Sequence, residues 1–155
     1  MKHLIVLIGK DEIKVLRYAE KLGAIHNCPY IADDNHPYFA RDFVRDIIKN
    51  FSKYIIFTNS PYVLGEINNI LYSQDVAKRF PHNAESIKKI IPEDLWIEKC
   101  EAFEIVNGEP VDIFDYELNL INDGALDNET SSRINNEFDE ISDFEEYDGE
   151  WWKTR

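Results

Sequence analysis

Hydrophobic and polar residues follow one another along the chain in blocks that predict strands, each followed by a helix. Leu4–Ile8 is a continuous apolar run, typical of a strand buried on both faces, and Gly9 ends it. The next block has apolar residues at helical spacing, with Val15, Leu16, Ala19 and Leu22 on one face, and Gly23 at the expected helix end. A second strand is predicted at residues 28–32.

The most informative block is 54–64. Tyr54–Phe57 is aromatic and β-branched, which predicts a buried strand. The polar triplet Thr58-Asn59-Ser60 follows, and Pro61 then opens a helical pattern for which Ser60 is the predicted cap. In α/β proteins such a triplet lies at the carboxyl edge of a parallel sheet, where ligands bind.

The remaining blocks complete the predicted fold. The helix after Pro61 is expected to give way to a polar stretch from about Ser73, a short helix to occupy 84–91, and Asn107-Gly108 to form a hairpin turn. We therefore predict an α/β protein with a small open, mainly parallel sheet, flanking helices, a C-terminal hairpin and an acidic helical tail. The domain is placed at 1–142 and the acidic aromatic tail at 143–155.

A surface helix is predicted over 38–51, with its apolar face formed by Phe39, Phe43, Ile47, Ile48 and Phe51.

Charge changes this picture more than overall composition does. The net charge is -13, and the stretch 109–155 contributes 15 acidic against 3 basic side chains. Such a surface repels nucleic-acid phosphates, which argues against direct nucleic-acid binding and favours protein partners. The chain has no apolar run of membrane-spanning length and no secretion-signal pattern, so a cytoplasmic location is predicted.

Few residues have the spacing that catalysis or metal binding requires. Cys28 and Cys100 lie far apart, and no histidine has metal-ligand spacing, so both cysteines are expected to be ordinary buried thiols. The glycine-rich phosphate loop is absent, so no cofactor is predicted. The carboxylate pair Asp33 and Asp34 follows the second predicted strand, and Asp33 is the candidate metal ligand. The pair also fits a simple turn that caps the next helix.

Residues 56–64 (Ile-Phe-Thr-Asn-Ser-Pro-Tyr-Val-Leu) resemble the Thr-Thr-His-Ser-Pro-x-x-Leu switch of ABC-type ATPases of the OLD and SMC-like group, AAA-family enzymes of prokaryotic defence systems. Residues 104–111, 119–122 and 134–139 resemble the hairpin, the Gly-Leu-Ile-like segment and the closing helix that follow that switch. The resemblance implies ATP and magnesium as ligands, with Asp33 and Asp34 as a reduced Walker B pair. Asn59 replaces the switch histidine and cannot titrate as a base.

These features favour a non-catalytic ATPase-like protein that acts by protein contact. A phage or mobile-element decoy that inhibits an ABC-type ATPase defence complex would fit, with a related ATPase or its effector as the partner. One alternative is an acidic DNA mimic that blocks a nucleic-acid-binding protein. Another is a residual magnesium-dependent nucleotide hydrolase or nuclease that uses Asp33 and Asp34. The predicted partner-binding residues are Asn59, Tyr62, Glu145, Glu146, Tyr147, Asp148, Trp151 and Trp152.

Overall fold

Strands and helices alternate along the chain as the hydrophobic pattern predicts. The computed structural model describes residues 2–23, 30–31, 37–122 and 140–145, with the backbone alone for 30–31 and 37–39. The helices are α1 (Glu12–Lys21), α2 (Pro37–Asn50), α3 (Pro61–Arg79) and α4 (Ala84–Ile90). The strands are β1 (His3–Ile8), β2 (Tyr30–Ile31), β3 (Lys53–Thr58), β4 (Lys99–Val106), β5 (Glu109–Asp112), β6 (Phe114–Asp115) and β7 (Leu120–Ile121).

The main sheet has the strand order β2-β3-β1-β4-β5. Strand β1 lies parallel to β3 on one side and to β4 on the other, while β5 is antiparallel to β4. The turn between β4 and β5 is Asn107-Gly108, with φ values of 54° and 83°, and such left-handed conformations are typical of tight hairpins. The predicted mainly parallel α/β sheet with a C-terminal hairpin is confirmed.

The sheet separates two hydrophobic cores. Leu4, Val6 and Ile8 of β1 point to the larger core, which contains buried residues of α2, α3 and α4. Ile5 and Leu7 point to the opposite face, where α1 packs. Burial on both faces explains the unbroken apolar sequence of β1.

Helix α2 packs through a different set of residues from the one predicted. Its buried apolar side chains belong to Ala40, Val44, Ile47 and Ile48, which share one face of a helix. Phe43 and Phe51 are exposed, so the predicted apolar face was wrong at these two positions. Phe43 lies at the margin of the face formed by the buried residues. Phe51 follows the last residue of α2 and packs against Tyr54, with ring centroids 4.6 Å apart. The side chain of Phe39 lies outside the described residues.

Helix α3 is longer and more buried than its sequence predicts. It continues through the polar stretch from Ser73 and ends at Arg79, and thirteen of its nineteen residues are buried. The expected end near Ser73 was therefore wrong. The buried hydroxyl of Ser73 donates to the carbonyl of Ile70 at 2.7 Å, which satisfies it without water inside the helix.

Two side-chain amides on α3 hold neighbouring segments in place. Gln74 accepts from the Ile97 backbone N–H at 2.8 Å and donates to the Ile97 carbonyl at 2.6 Å. Asn68 makes the same pair of bonds with the backbone of Ile121, at 2.8 and 3.1 Å. Each amide thus satisfies both backbone groups of one residue, so the segment entering β4 and strand β7 are fixed to the helix.

Replacing Gln74 by alanine should lower the free energy of unfolding by about 2–4 kcal/mol, because the buried Ile97 N–H and carbonyl would each lose a partner at about 1–3 kcal/mol per group. Urea unfolding followed by circular dichroism measures the change. Lys78→Ala, at an exposed position of the same helix, serves as the control and should change stability by less than about 0.5 kcal/mol. Equal stability of the two variants would contradict the anchoring role of Gln74.

Candidate functional site

The carboxyl ends of β1 and β3 form the topological switch point of the sheet. The two strands are parallel neighbours, yet α1 follows β1 onto one face whereas α3 follows β3 onto the other. Connections that leave in opposite directions open a crevice between the strand ends, and α/β proteins bind ligands there. In this chain Gly9 and Asn59 are the first residues beyond the two strands.

Asn59 closes that crevice with its own side chain. Its Oδ1 accepts from the Gly9 backbone N–H at 2.9 Å, and its Nδ2 donates to the Gly9 carbonyl at 2.9 Å. The amide therefore extends the hydrogen-bond ladder between the strands by one step. Both of its polar atoms are engaged, so ligand binding by Asn59 would require these bonds to break.

Gly9 leaves no open cradle beside this pair of bonds. The residue is buried, and a Cβ atom placed on it would lie 2.7 Å from Cγ2 of Val15 and 3.2 Å from the carbonyl oxygen of Ile105. The absence of a side chain at Gly9 is thus used for close packing of α1 against the sheet. A phosphate loop instead keeps its glycine backbone open to the ligand.

The other polar residues of the 58–62 segment are also used within the chain. The Thr58 hydroxyl accepts from the Ser60 N–H at 3.0 Å, and the Ser60 hydroxyl accepts from the Val63 N–H at 3.4 Å. Ser60 is therefore the N-cap of α3, as predicted, with Pro61 in the first turn. Tyr62 is partly buried and packs against the larger core. The segment is placed at the predicted sheet edge, but its groups serve folding.

A cleft of about 340 Å³ lies beside the switch point, between the start of α1 and the end of β4. No local pattern predicted this cleft, because it forms only where β1 and β4 pair across some ninety intervening residues. Its lining contains two ammonium groups and two carboxylates. Lys14 pairs with Asp11 at 4.0 Å, and the Asp11 carboxylate also caps α1 by accepting from the Lys14 N–H at 3.3 Å. The cleft is lined by Lys10, Asp11, Lys14, Glu104, Ile105, Val106 and Asn107.

The described residues offer little reactive chemistry. Burial raises the pKa of the Cys100 thiol to about 12, with a further contribution from the charge of Glu101, so this thiol is protonated at neutral pH and is a poor nucleophile. No group of three or more metal-binding side chains occurs among the described residues. The candidates Asp33 and Asp34, like Cys28, lie outside them.

Within the same described ranges, no helix is long and apolar enough to cross a membrane.

Glu145, predicted to bind a partner from an acidic tail, is used inside the protein. Its residue is 5% exposed, and its carboxylate pairs with the Arg79 guanidinium. Burial lowers the pKa of Arg79, but the carboxylates of Glu145 and Asp75 raise it by more, so the net direction is upward. Ile141 is fully buried, and Asn83 donates to the carbonyl of Phe144 at 3.0 Å.

The packed structure therefore continues at least to Glu145, beyond the boundary predicted at residue 142. As a partner anchor, Glu145 was misjudged, because acidic residues around it in the sequence hid its pairing with a distant arginine. The other five tail residues predicted to bind a partner lie outside the described residues; they are Glu146, Tyr147, Asp148, Trp151 and Trp152.

Comparison of the chain with protein-family models, curated proteins and solved structures found no match. The site is therefore interpreted from its own geometry.

Asn59→Ala should lower the free energy of unfolding by about 2–3 kcal/mol, since the buried Gly9 N–H and carbonyl would lose their partners. Asn59→Asp should also destabilise, because a carboxylate can accept from the N–H but repels the carbonyl. Urea unfolding of both variants, with Asn50→Ala at an exposed position as the control, measures these differences. If Asn59→Ala is as stable as the control, the bonds to Gly9 do not close the crevice.

Glu145→Ala should destabilise the fold by about 2 kcal/mol, because Arg79 would lose a buried partner and keep only Asp75 at 3.0 Å. Thermal and urea unfolding measure the loss. The neighbouring Asp143 is exposed, so Asp143→Ala should change stability by less than about 0.5 kcal/mol. Similar small effects of both substitutions would mean that the 140–145 segment contributes little to the fold.

Proposed function

We propose that this chain is a non-catalytic α/β protein that acts by contact with a protein partner. The observation that carries the proposal is the closure of the switch point by Asn59. Catalysis at such an edge needs polar groups that are free to contact a substrate, yet here the asparagine amide and the Gly9 backbone are bonded to each other at 2.9 Å in both directions.

Nucleotide binding would meet two obstacles at this edge. A phosphate at the end of β1 would need the Gly9 N–H, which already donates to Asn59. A phosphate at the start of α3 would compete with the Ser60 hydroxyl for the Val63 N–H. Both backbone donors are thus occupied by side chains of the protein itself.

The class of partner is proposed from the resemblance to ABC-type ATPases. Residues 56–64 form the strand, turn and helix that the resemblance implies, and β4 with β5 forms the hairpin. Asn119 is the first residue of the 119–122 segment and lies directly before β7. It has a φ of 57°, a conformation that asparagine and glycine adopt most readily. A chain with this order of elements and a closed site fits a decoy that engages a related ATPase or its effector.

An acidic DNA mimic is the second candidate function. The observation that favours it is the charge of the described surface between residues 93 and 117, where nine side chains are acidic and one is basic. A mimic depends on carboxylates alone, whereas a decoy also needs shape and apolar contacts. The two functions therefore differ in their sensitivity to apolar substitutions.

The purified protein should neither bind nor hydrolyse ATP in the presence of magnesium, and it should change the hydrolysis rate of a partner OLD-like or SMC-like ATPase. Isothermal titration calorimetry and phosphate release measure the first property, and ATPase rates with increasing amounts of the chain measure the second. Asp33→Asn is the control, and it should leave both results unchanged.

Magnesium-dependent hydrolysis that Asp33→Asn abolishes would establish the residual enzyme instead. ATPase rates that stay constant at every concentration of the chain, across a panel of such ATPases, would contradict the decoy. Inhibition of a DNA-binding protein that persists in variants with altered apolar residues would favour the DNA mimic.

A further inference from the structure

The β4–β5 hairpin and the β6–β7 unit carry an uncovered apolar strip. Seven large hydrophobic residues are exposed among the described residues, and four of them fall within residues 106–118. These four are between 44% and 65% exposed. Single exposed apolar residues are normal on protein surfaces, but concentration in one short stretch is not. The strip consists of Val106, Val111, Tyr116 and Leu118.

The register of the hairpin shows that part of this strip is continuous. Val106 lies opposite Glu109, and Val111 lies opposite Glu104, so the two valines share one face and are diagonal neighbours at about 7–8 Å. The Tyr116 hydroxyl donates to the Asp112 carboxylate at 2.9 Å, which ties the β6–β7 unit to the end of β5. By the register, Asp112 lies opposite Phe103 and thus on the other face of the hairpin from the two valines. The continuous part of the strip is therefore Val106 with Val111, and Tyr116 lies beside the end of β5.

Carboxylates surround the strip without cationic partners. None of the five is in an ion pair within the described part of the chain, although one of them, Glu104, lines the same cleft as Lys10 and Lys14. Uncompensated carboxylates around apolar side chains produce a negative potential at the place where apolar contact is available. The five are Glu104, Glu109, Asp112, Asp115 and Glu117.

Pairing of a partner strand along β5 is disfavoured by the sequence of that strand. Ile113 donates its N–H to the Ala102 carbonyl at 3.0 Å, so with the observed register the backbone groups of Pro110 and Asp112 face outward. Pro110 has no N–H to offer at that edge. Recognition must therefore use the side chains of the strip.

Charge decides between the occupants that could cover this strip. A second copy would bring the same five carboxylates against themselves. The chain's own stretch 123–155 is also acidic, with eleven acidic and three basic residues. Both would be repelled. We propose that the 104–118 strip binds a partner protein through a basic surface that also presents apolar side chains.

This inference rests on the proposed function and adds the surface and the chemistry of the partner. Tyrosine and apolar residues supply contact area in binding sites, while the carboxylates select a cationic partner and speed its association. The strip includes neither Gly9 nor Asn59, so Asn59 can keep its structural role while the protein binds, although Glu104 and Val106 also line the cleft beside the switch point.

The test uses the full-length protein and two synthetic peptides with equal numbers of lysines, one with leucine between the lysines and one with serine. Amide chemical shifts in NMR spectra locate binding. The Lys/Leu peptide should shift amides within 104–118 and bind at least about tenfold more tightly than the Lys/Ser peptide. Equal affinity of the two peptides, or shifts centred on residues 9–14 or 58–62, would overturn the assignment.

Two double variants separate charge from apolar contact. Glu109→Lys with Glu117→Lys, and Val111→Thr with Leu118→Gln, should each weaken binding of the Lys/Leu peptide by about tenfold or more. Glu12→Lys with Glu20→Lys on exposed positions of α1 changes net charge by the same amount and should weaken binding by less than about threefold. Loss in the charge variant alone would indicate a charge-only surface, as in a DNA mimic, and would overturn the proposal.

The same variants distinguish failure of this surface from failure of the proposed function. In the ATPase assay, the charge variant should lose the effect of the native chain while the α1 control keeps it. If the charge variant still alters the ATPase rate, the protein acts by contact through another surface and the strip is wrong. If the native chain has no effect on any ATPase tested, the decoy function fails independently of the peptide result.

Discussion

The burial of α3 on nearly all sides is the constraint on which the rest of the structure depends. A helix that packs against α2, α4 and β7 and has thirteen of its nineteen residues buried leaves few solvated positions for polar side chains, and unsatisfied polar groups in such a place are costly. Two polar side chains of α3, the amides of Asn68 and Gln74, are satisfied by hydrogen bonds to backbone groups of other segments. Gln74 thereby fixes the approach to β4, and Asn68 fixes β7. Asn68 and Gln74 are therefore structural contacts that hold distant parts of the chain together.

A side-chain amide also bonds to a distant backbone residue at the carboxyl edge of the sheet, where α/β proteins usually bind their ligands. Asn59 precedes α3 by two residues and pairs with Gly9 as Gln74 pairs with Ile97. The geometry of a strand edge allows this because a carboxamide has the donor and acceptor arrangement of a peptide group. A histidine at this position could not reproduce both bonds, since a neutral imidazole places its donor and acceptor on opposite sides of a ring. Closure of the crevice thus follows from the identity of residue 59.

Local patterns in the sequence predicted much of the fold. The apolar runs of β1 and β3, the cap at Ser60 and the turn at Asn107-Gly108 depend on neighbouring residues, and the structure confirms them. Contacts between distant residues were not predictable in this way. The polar appearance of Ser73 and Gln74 concealed their burial, because their partners are supplied by tertiary packing. Glu145 was misjudged for the same reason, since Arg79 lies 66 positions earlier in the chain.

At the candidate site, too, features set by neighbouring residues could be predicted, whereas contacts with distant residues could not. Its position at the carboxyl edge could be predicted from strand, triplet and helix, but the use of Asn59 could not, because Gly9 is fifty residues away. Once these bonds are formed, the polar groups of Gly9 and Asn59 are used within the chain. The carboxylates along 104–118 are in the opposite situation, since they remain without cations beside exposed apolar side chains. Exposed apolar side chains and unpaired carboxylates therefore occur together on the hairpin side of the sheet. This coincidence is the physical basis of the binding proposed there.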